Sequence, residues 1–385
     1  MQGKIFPDKT LDFNVLHLAF NTFYLHYKAI VGIRASARFL HNVSLSNIIP
    51  ETNAGGIKHL LVPESSLLSA YIWREMPELD IYTLMQDGCV YRKSSVINSG
   101  KAMRIMHDTL LLPGDYLRIH TNPRRYTNQL SAINWDDHII YDDIDFVVLN
   151  KPAGIPTVPT VDNFYENVVV AVAKHMKIPR FFPPQRLDTD TSGLLILGKT
   201  TEFAAFFSHM IRKRLVKKTY RVLIGGVNIS DEDLKVDESV VHYTGIAKEN
   251  MRNFSAEEGP ETRRCELKII ARSDTVEASY EDWMTNILDY QKSSASNKIL
   301  DSLDAYFGMP GGPHSPLLSF TELEVELITG RTHQIRGQLQ ELGSRPGKSF
   351  HIAGDNRYIG PTTSAVHGNR NKSNPFLGLQ VSFQM

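Results

Sequence analysis

The sequence has few of the features that would quickly assign it to a class. It contains two cysteines among 385 residues, Cys89 and Cys265, and their separation fits no metal-ligand spacing. We therefore expect reduced, inert thiols, as in a protein that works inside the cell. The chain also lacks any run of about 18 apolar residues, which predicts that it has no transmembrane helix and no membrane partner.

An excess of charge of either sign is missing as well. The 42 Lys and Arg residues balance 42 Asp and Glu residues, so the whole chain does not indicate a polyanionic partner. Any nucleic-acid surface must then be local. The strongest candidate is MIRKRLVKKTYR at 210–221, which has six cations and no acid. Taken alone, this pattern is more typical of a solvated helix end followed by a basic loop. Its position just before the segment that contains Tyr220 favours a nucleic-acid surface instead.

The first part of the chain allows two interpretations. Residues 15–46 are poor in acids and end rich in serine, as in an organellar transit segment. Their aromatic and aliphatic spacing fits equally well an amphipathic helix that packs on the rest of the protein. We treat residues 1–58 as an N-terminal extension and candidate targeting segment. The location then stays open between the cytoplasm and an organelle, either mitochondrion or chloroplast.

Two further segments have readable patterns. Residues 66–91 show helical apolar spacing with a proline break, which predicts two short helices, and the Pro-Gly turn in 111–120 leads into a strand. Residues 133–152 indicate a strand, an acidic turn and a buried strand. The turn carboxylates could in principle bind a metal, but neither histidine nor further oxygen ligands accompany them, which favours an exposed turn. These carboxylates are Asp142, Asp143 and Asp145.

The later part of the chain contains a predicted helix and a predicted insertion. TEFAAFFSHMIRKR, from residue 201, places its aromatic residues on one helical face, so we expect that face in the core. Residues 273–318 lose periodicity and contain Ser-rich and Gly-Pro-rich stretches. We interpret them as an insertion of loops around a short helix near 281–290.

Two polar turns carry the candidate chemistry. RLDTDTSGLLILGKT at 186–200 places Asp188 at the mouth of an apolar strand, where a carboxylate needs a partner. TGRTHQIR at 329–336 offers Arg336, which could form a bidentate pair with Asp188 and lower its pKa. A metal-dependent nuclease using Asp188 and Asp190 is a weaker hypothesis, because the sequence offers no further ligands.

Four ordered segments carry a resemblance to a known family. They are NKPAG at 150–154, RLDTDTSGLLILGK from 186, KKTYRVLIGG at 217–226 and ELITGRTHQIRGQL at 326–339. In this order the chain resembles the RluA-type pseudouridine synthases, which isomerise uridine in RNA. The resemblance implies an α+β fold in which residues 133–385 form a catalytic domain with a mixed, largely antiparallel sheet and flanking helices.

The resemblance also implies a small N-terminal α/β domain. Residues 59–125 resemble the alpha-L RNA-binding domain that often precedes the catalytic domain in this family. The predicted helices depart from the basic pattern of that domain, so we expect a degenerate version of it. The departing residues are Glu75, Glu78, Asp80 and Asp87.

Catalytic roles follow from the resemblance. Asp188 matches the indispensable aspartate, which either attacks C1′ to form a covalent ester or removes the C2′ proton to form a glycal. Arg336 matches its basic partner, and Tyr220 matches the tyrosine expected to stack on uracil and to assist C5 deprotonation. Judged from the residues alone, Arg336 could instead bind phosphate and Tyr220 could be a half-buried strand residue.

An RNA partner, rRNA or tRNA, is also implied, with the protein acting as a monomer and without cofactor or metal. Arg186 occupies the position expected to fill the space of a flipped base, although it could equally be a surface arginine bound to backbone. Lys151, Lys218 and Arg331 are the other predicted RNA-binding residues.

Two positions depart from the family pattern. Gln185 stands where histidine commonly precedes RLD, and Gln380 stands where histidine is common in the closing strand. The main hypothesis is an RNA pseudouridine synthase. The alternative is a catalytically impaired RNA-binding or assembly protein that retains the synthase fold.

Overall fold

The computed structural model describes residues 56–96, 100–227, 229, 232, 234–245, 252–278, 318–346, 349–352, 355, 358 and 379–384. In these ranges the helices are α1 (Leu68–Glu75), α2 (Ile81–Gln86), α3 (Thr127–Ser131), α4 (Val168–His175), α5 (Thr201–Arg212) and α6 (Gln334–Gly343). The strands there are β1 (Ile57–Leu61), β2 (Ser66–Leu67), β3 (Val90–Lys93), β4 (Met103–Ile105), β5 (Leu110–Leu111), β6 (Tyr116–His120), β7 (Ile139–Asp142), β8 (Phe146–Lys151), β9 (Ser192–Gly198), β10 (Lys217–Val227), β11 (Ser239–Thr244), β12 (Phe254–Ser255), β13 (Arg263–Arg272), β14 (Val276–Ala278), β15 (Leu318–Leu327), β16 (Ser349–Ile352) and β17 (Leu379–Gln384). The candidate targeting segment up to residue 55 and the helix predicted near 281–290 lie outside the described residues. Among those that are described, no helix is long and apolar enough to cross a bilayer.

The N-terminal part has its own small antiparallel sheet, in the order β1-β6-β3-β4, with a separate apolar core. The two short helices predicted in residues 66–91 are confirmed as α1 and α2, which lie between β1 and β3 in the chain. Helix α1 ends just before Met76, whose backbone leaves the helical region (φ −146°, ψ 69°), because the following Pro77 disfavours a helical residue before it. The RNA-binding role of this part stays a prediction.

The small sheet contacts the segment that follows β8. Arg104 donates to the carbonyl of Thr160 at 2.7 Å, and the Tyr91 hydroxyl donates to the carbonyl of Val161 at 2.9 Å. Arg125 forms ion pairs with both Asp87 and Glu166, each at 2.7 Å. These contacts fix the 160–166 loop.

The larger sheet has eleven strands among the described residues. Its main path is β12-β11-β13-β15-β10-β17-β9-β8-β7, with β14 added to β15 and β16 added to β10. Every pairing is antiparallel except that of β17 with β9. The predicted α+β fold, with a mixed and largely antiparallel sheet and flanking helices, is therefore confirmed.

The middle of this sheet is buried on both faces. In β8, Val147 and Leu149 enter the main core, whereas Phe146 and Val148 enter a second core on the opposite face. Helix α5 covers that second core with Phe203 and its neighbours, as the helical stripe predicted. Alternate burial on two faces explains why these strands are continuously apolar.

The sheet register brings the predicted motifs to one edge. Tyr220 in β10 pairs with Val325 in β15 and with Val381 in β17, and Val381 in turn pairs with Gly193 at the start of β9. The turn that carries Asp188 immediately precedes β9, and the turn into α6 follows β15. Because β10 and β15 are antiparallel, the start of one strand lies beside the end of the other.

Candidate active site

A cleft of about 920 Å³ opens at this edge of the sheet. It lies between residues 184–190, the start of β10, the turn from β15 to α6, and the 156–161 loop. Its described lining includes more cations than carboxylates. The cations are Arg124, Arg186, Arg212, Arg214, Lys217, Lys218, Arg331 and Arg336, and the carboxylates are Asp188, Asp190 and Glu326. This excess attracts a polyanion such as RNA.

Asp188 lies on a turn that is tethered on both sides. Before it, the Thr157 hydroxyl donates to the carbonyl of Leu187 at 2.7 Å and accepts from the amide of the same residue at 3.2 Å. After it, the amide of Thr191 donates to the carbonyl of Asp188 at 3.2 Å and closes the turn. The backbone that carries the carboxylate is thereby held in place.

The structure corrects the RNA-binding role predicted for Lys151. Its side chain is fully buried, and Nζ donates to the carbonyls of Pro152, Thr189 and Thr191 at 2.9 Å each. Burial lowers the pKa of Lys151 to about 7, against the opposing charges of Asp190 and Asp188. Lys151 therefore supports the turn that carries Asp188 and does not line the cleft.

Arg336 lies beside Asp188, but not in the bidentate arrangement that the sequence suggested. Nη1 of Arg336 is 3.6 Å from Oδ2 of Asp188, whereas Nε and Nη2 donate to Asp355 at 2.6 and 2.8 Å. The sequence did not predict Asp355 as a partner of Arg336. The fork holds Arg336 in a fixed orientation, and its remaining edge faces Asp188.

The electrostatics of Arg336 follow from this arrangement. Burial alone would lower the pKa of Arg336, but hydrogen bonds and charge from Asp355, with the charges of Asp188 and Asp190, raise it overall. The guanidinium thus remains a permanent cation beside Asp188.

Tyr220 lines the same cleft and packs into the main core. Burial, reinforced by the negative charge of Asp188, raises the pKa of Tyr220 well above its usual value. The side chain is consequently a neutral phenol at physiological pH. A neutral ring can stack on a base or donate a hydrogen bond.

Two residues of the TGRTHQIR motif were missed as site residues. The Gln334 side chain accepts from the amide of Arg331 at 2.9 Å and donates to the carbonyl of Glu266 at 3.0 Å, which fastens the turn to β13. His333 precedes α6, and its Nε2 lies 3.7 Å from Oδ2 of Asp188. The density of polar residues in the motif indicated a site, but not which of them turn inwards.

The other predicted RNA-binding residues lie on the cleft. Arg186 and Arg331 are exposed, and Lys218 is partly buried, which lowers its pKa. Within the described residues, none of these three cations forms an ion pair with a carboxylate. Three unpaired cations around a carboxylate are suited to hold phosphates.

The departure at Gln185 also faces the cleft. Its Nε2 is buried and has no hydrogen-bond partner within the part of the chain that the structure describes. Gln380 lies in β17, the last strand in the chain order, which is inserted between β10 and β9; it pairs with Arg221 on one side and Ser192 on the other.

The carboxylates considered as metal ligands lie apart from any larger ligand set. Asp142 is exposed at the end of β7, in the turn before β8. Across the described ranges, no group of three or more His, Cys, Asp or Glu side chains is arranged to hold a metal ion. Asp188 and Asp190 are accordingly not accompanied there by further ligands.

The sequence profile of the RNA pseudouridylate synthase family matches residues 145–341, about half of the chain. This range includes Asp188, Tyr220 and Arg336, whereas Asp355 lies beyond it. The chain belongs to this family of isomerases, as the motif order predicted.

Individual relatives agree with the family match. The chain is 26% identical over 287 residues to RNA pseudouridine synthase 6, chloroplastic, of Arabidopsis thaliana, covering 73% of this chain and 52% of the relative. It is 30% identical over 254 residues to RNA pseudouridine synthase 7 of the same plant, covering 64% and 53%. The chain thus spans about half the length of these curated relatives. Among solved structures, human RNA pseudouridylate synthase domain containing 1 aligns with a TM-score of 0.38 and 19% identity, covering 63% of this chain and 76% of that one.

Proposed function

We propose that this protein isomerises uridine to pseudouridine in RNA, with Asp188 as the catalytic carboxylate. The observation that carries the proposal is the placement of Arg336, which is fixed by Asp355 and faces Asp188 at 3.6 Å inside a cationic cleft. Membership of the RNA pseudouridylate synthase family supports it.

The chemistry requires little beyond these side chains. The bond between C1′ and N1 breaks, the uracil turns, a bond forms between C1′ and C5, the C5 proton passes to water and N1 takes up a proton from water, so that no atom is gained or lost. Asp188 acts at the ribose, either as nucleophile at C1′ or as base at C2′. Tyr220, as a neutral phenol, stacks on the uracil and keeps water from the reacting carbon.

The target uridine must leave its stack to reach Asp188. Arg186, exposed at the cleft and two residues from Asp188, fills the vacated space with its planar guanidinium. Lys218 and Arg331, which also line the cleft, bind the flanking phosphates. Specificity then depends on RNA shape as well as on sequence.

We propose ribosomal RNA as the first substrate pool to test. A 115-residue stretch is 30% identical to ribosomal large subunit pseudouridine synthase D of Nitrosomonas europaea, covering 28% of this chain and 33% of that protein. Transfer RNA is the second pool.

Tritium release from RNA labelled at C5 of uridine tests the activity. Wild-type protein should release tritium from one of the rRNA, tRNA or mRNA pools, and a chelator should leave the rate unchanged. No release from any pool, together with tight RNA binding, would instead identify the catalytically impaired RNA-binding protein. RNA cleavage that stops on chelation would identify a metal-dependent nuclease.

An organellar location is the third part of the proposal. The acid-poor segment 15–46 supports it, as do two relatives whose names include "chloroplastic". Residues 1–58 fused to a fluorescent protein should direct it to an organelle. Diffuse cytoplasmic fluorescence would contradict this location.

A further inference from the structure

His333 has a backbone conformation that residues other than glycine rarely adopt. Its φ is 55° and its ψ is 26°, in the left-handed region, at the residue that precedes α6. Such a conformation is strained and persists only when the surroundings enforce it. His333 lines the cleft, where strained residues commonly serve function.

The imidazole of His333 lies between two groups. Nδ1 is 3.0 Å from the hydroxyl of Tyr358, and Nε2 is 3.7 Å from Oδ2 of Asp188. The side chain is 13% exposed, so water competes little for either nitrogen. The rings of His333 and Tyr358 meet edge to face at 88°.

Arg336 approaches the same carboxylate oxygen. Its Nη1 is 3.6 Å from Oδ2 of Asp188. Asp355 holds Arg336, Tyr358 contacts His333, and the amide of Tyr358 donates to Asp355 at 3.2 Å. One short part of the chain therefore secures both groups that face Oδ2.

The carboxylate of Asp188 lines the cleft and is partly exposed there. Contacts from His333 and Arg336 on the same carboxylate restrict its rotation about its last bond. The carboxylate is then presented to the reacting sugar in one orientation.

We propose that His333 is a positioning residue, which together with Arg336 holds the carboxylate of Asp188 in the orientation that meets the target ribose. The inference rests on the proposed function. The Tyr358 hydroxyl donates to Nδ1, which leaves the imidazole proton on Nε2 and directs an N–H at Asp188. The 3.7 Å contact shortens to a hydrogen bond in the reacting complex, as such contacts commonly do.

Three variants test this role by their kcat and KM. His333→Asn suits the left-handed backbone but is too short to reach Asp188, and His333→Gln keeps an N–H near the position of Nε2. His209→Asn, exposed on α5 outside the cleft, is the matched control. We expect His333→Asn to lower kcat by about tenfold or more with KM for RNA nearly unchanged, because a misoriented reacting group costs rate and not binding.

The rescue and a double-mutant cycle complete the test. His333→Gln should recover most of the lost kcat, and Tyr358→Phe should lower kcat without adding to the effect of His333→Asn. A kcat of His333→Asn within twofold of wild type, a loss confined to KM, or a glutamine variant no better than asparagine would overturn the inference.

A second measurement is independent of activity. Nitrogen NMR of the imidazole, assigned by comparison with His333→Gln, should show the proton on Nε2 in wild type and a changed tautomer balance in Tyr358→Phe. A wild-type protein inactive on every RNA would overturn the proposed function. A proton found on Nδ1 in wild type would overturn this inference separately.

Discussion

Arg336 donates from Nε and Nη2 to Asp355, and only Nη1 faces Asp188. The distances are 2.6 and 2.8 Å to the first carboxylate and 3.6 Å to the second. The side chains of Arg336 and Asp355 are 7% and 1% exposed. Asp355 therefore fixes the orientation of Arg336. Without Asp355, an intact Arg336 should not support full activity.

Asp355→Asn tests this dependence. The substitution leaves a buried guanidinium without its partner charge, so we expect a loss of about 3–5 kcal/mol in the free energy of unfolding and a fall in kcat. Urea unfolding and tritium release measure the two effects. Asp274→Asn, exposed in the turn after β13, is the matched control. Stability within 1 kcal/mol of wild type, well inside the expected loss, would show that the fork is dispensable.

Lys151→Met should separate support of the turn from RNA binding. Three carbonyls lose their donor, which should cost about 1–3 kcal/mol of stability, and kcat should fall because Thr189 and Thr191 adjoin the catalytic turn. The dissociation constant for RNA should change little, because Nζ is fully buried. A large loss of RNA affinity in a folded variant would instead support the RNA contact first predicted for Lys151.

Lys218→Met should show the opposite pattern. Loss of one cation on the cleft wall should weaken RNA binding and reduce the slope of log affinity against log salt by about 0.7 to 0.9. Lys213→Met is the control, because Lys213 is exposed at the end of α5 and does not line the cleft. Equal slopes for the two variants would contradict a specific phosphate contact at Lys218.

Glu166 should make the protein sensitive to acid. Burial would raise its pKa, but hydrogen bonds from Arg125, Thr127, Tyr126 and Asn163 lower the pKa to about 2, from 4.5 when unperturbed. A lowered pKa in the folded state stabilises the protein above pH 4.5, and this contribution is lost as the pH falls from 4.5 towards 2.

Glu166→Gln provides the comparison for this pH dependence. The variant should be less stable than wild type at neutral pH, and the difference should shrink between pH 4.5 and 2. Unfolding monitored by circular dichroism across this range measures it. A difference that stays constant with pH would contradict the lowered pKa.

Much of the fold followed from local patterns. The apolar strands, the helical stripe at Phe203 and the turn between β7 and β8 depend on neighbours in sequence, which periodicity reports. Motif order also identified Asp188, Tyr220 and Arg336, and the structure places all three on one cleft.

The residues that hold these side chains in place were harder to predict from the sequence. Asp355 lies 19 positions after Arg336, and nothing in its surrounding sequence distinguishes it from a turn aspartate. The strained backbone of His333 is likewise not encoded in any local pattern. Lys151 did leave a signal, because it shares a strand face with the buried Val147 and Leu149.

Conversion of uridine to pseudouridine by wild type and Asp188→Asn, measured as product nucleoside after digestion of a responsive RNA, tests the central claim most directly. Asparagine keeps the size of the side chain but can neither attack C1′ nor accept a C2′ proton. We predict that wild type and the Asp274→Asn control form pseudouridine, while Asp188→Asn binds the same RNA and forms none. Pseudouridine formation by Asp188→Asn at the wild-type rate would contradict the account.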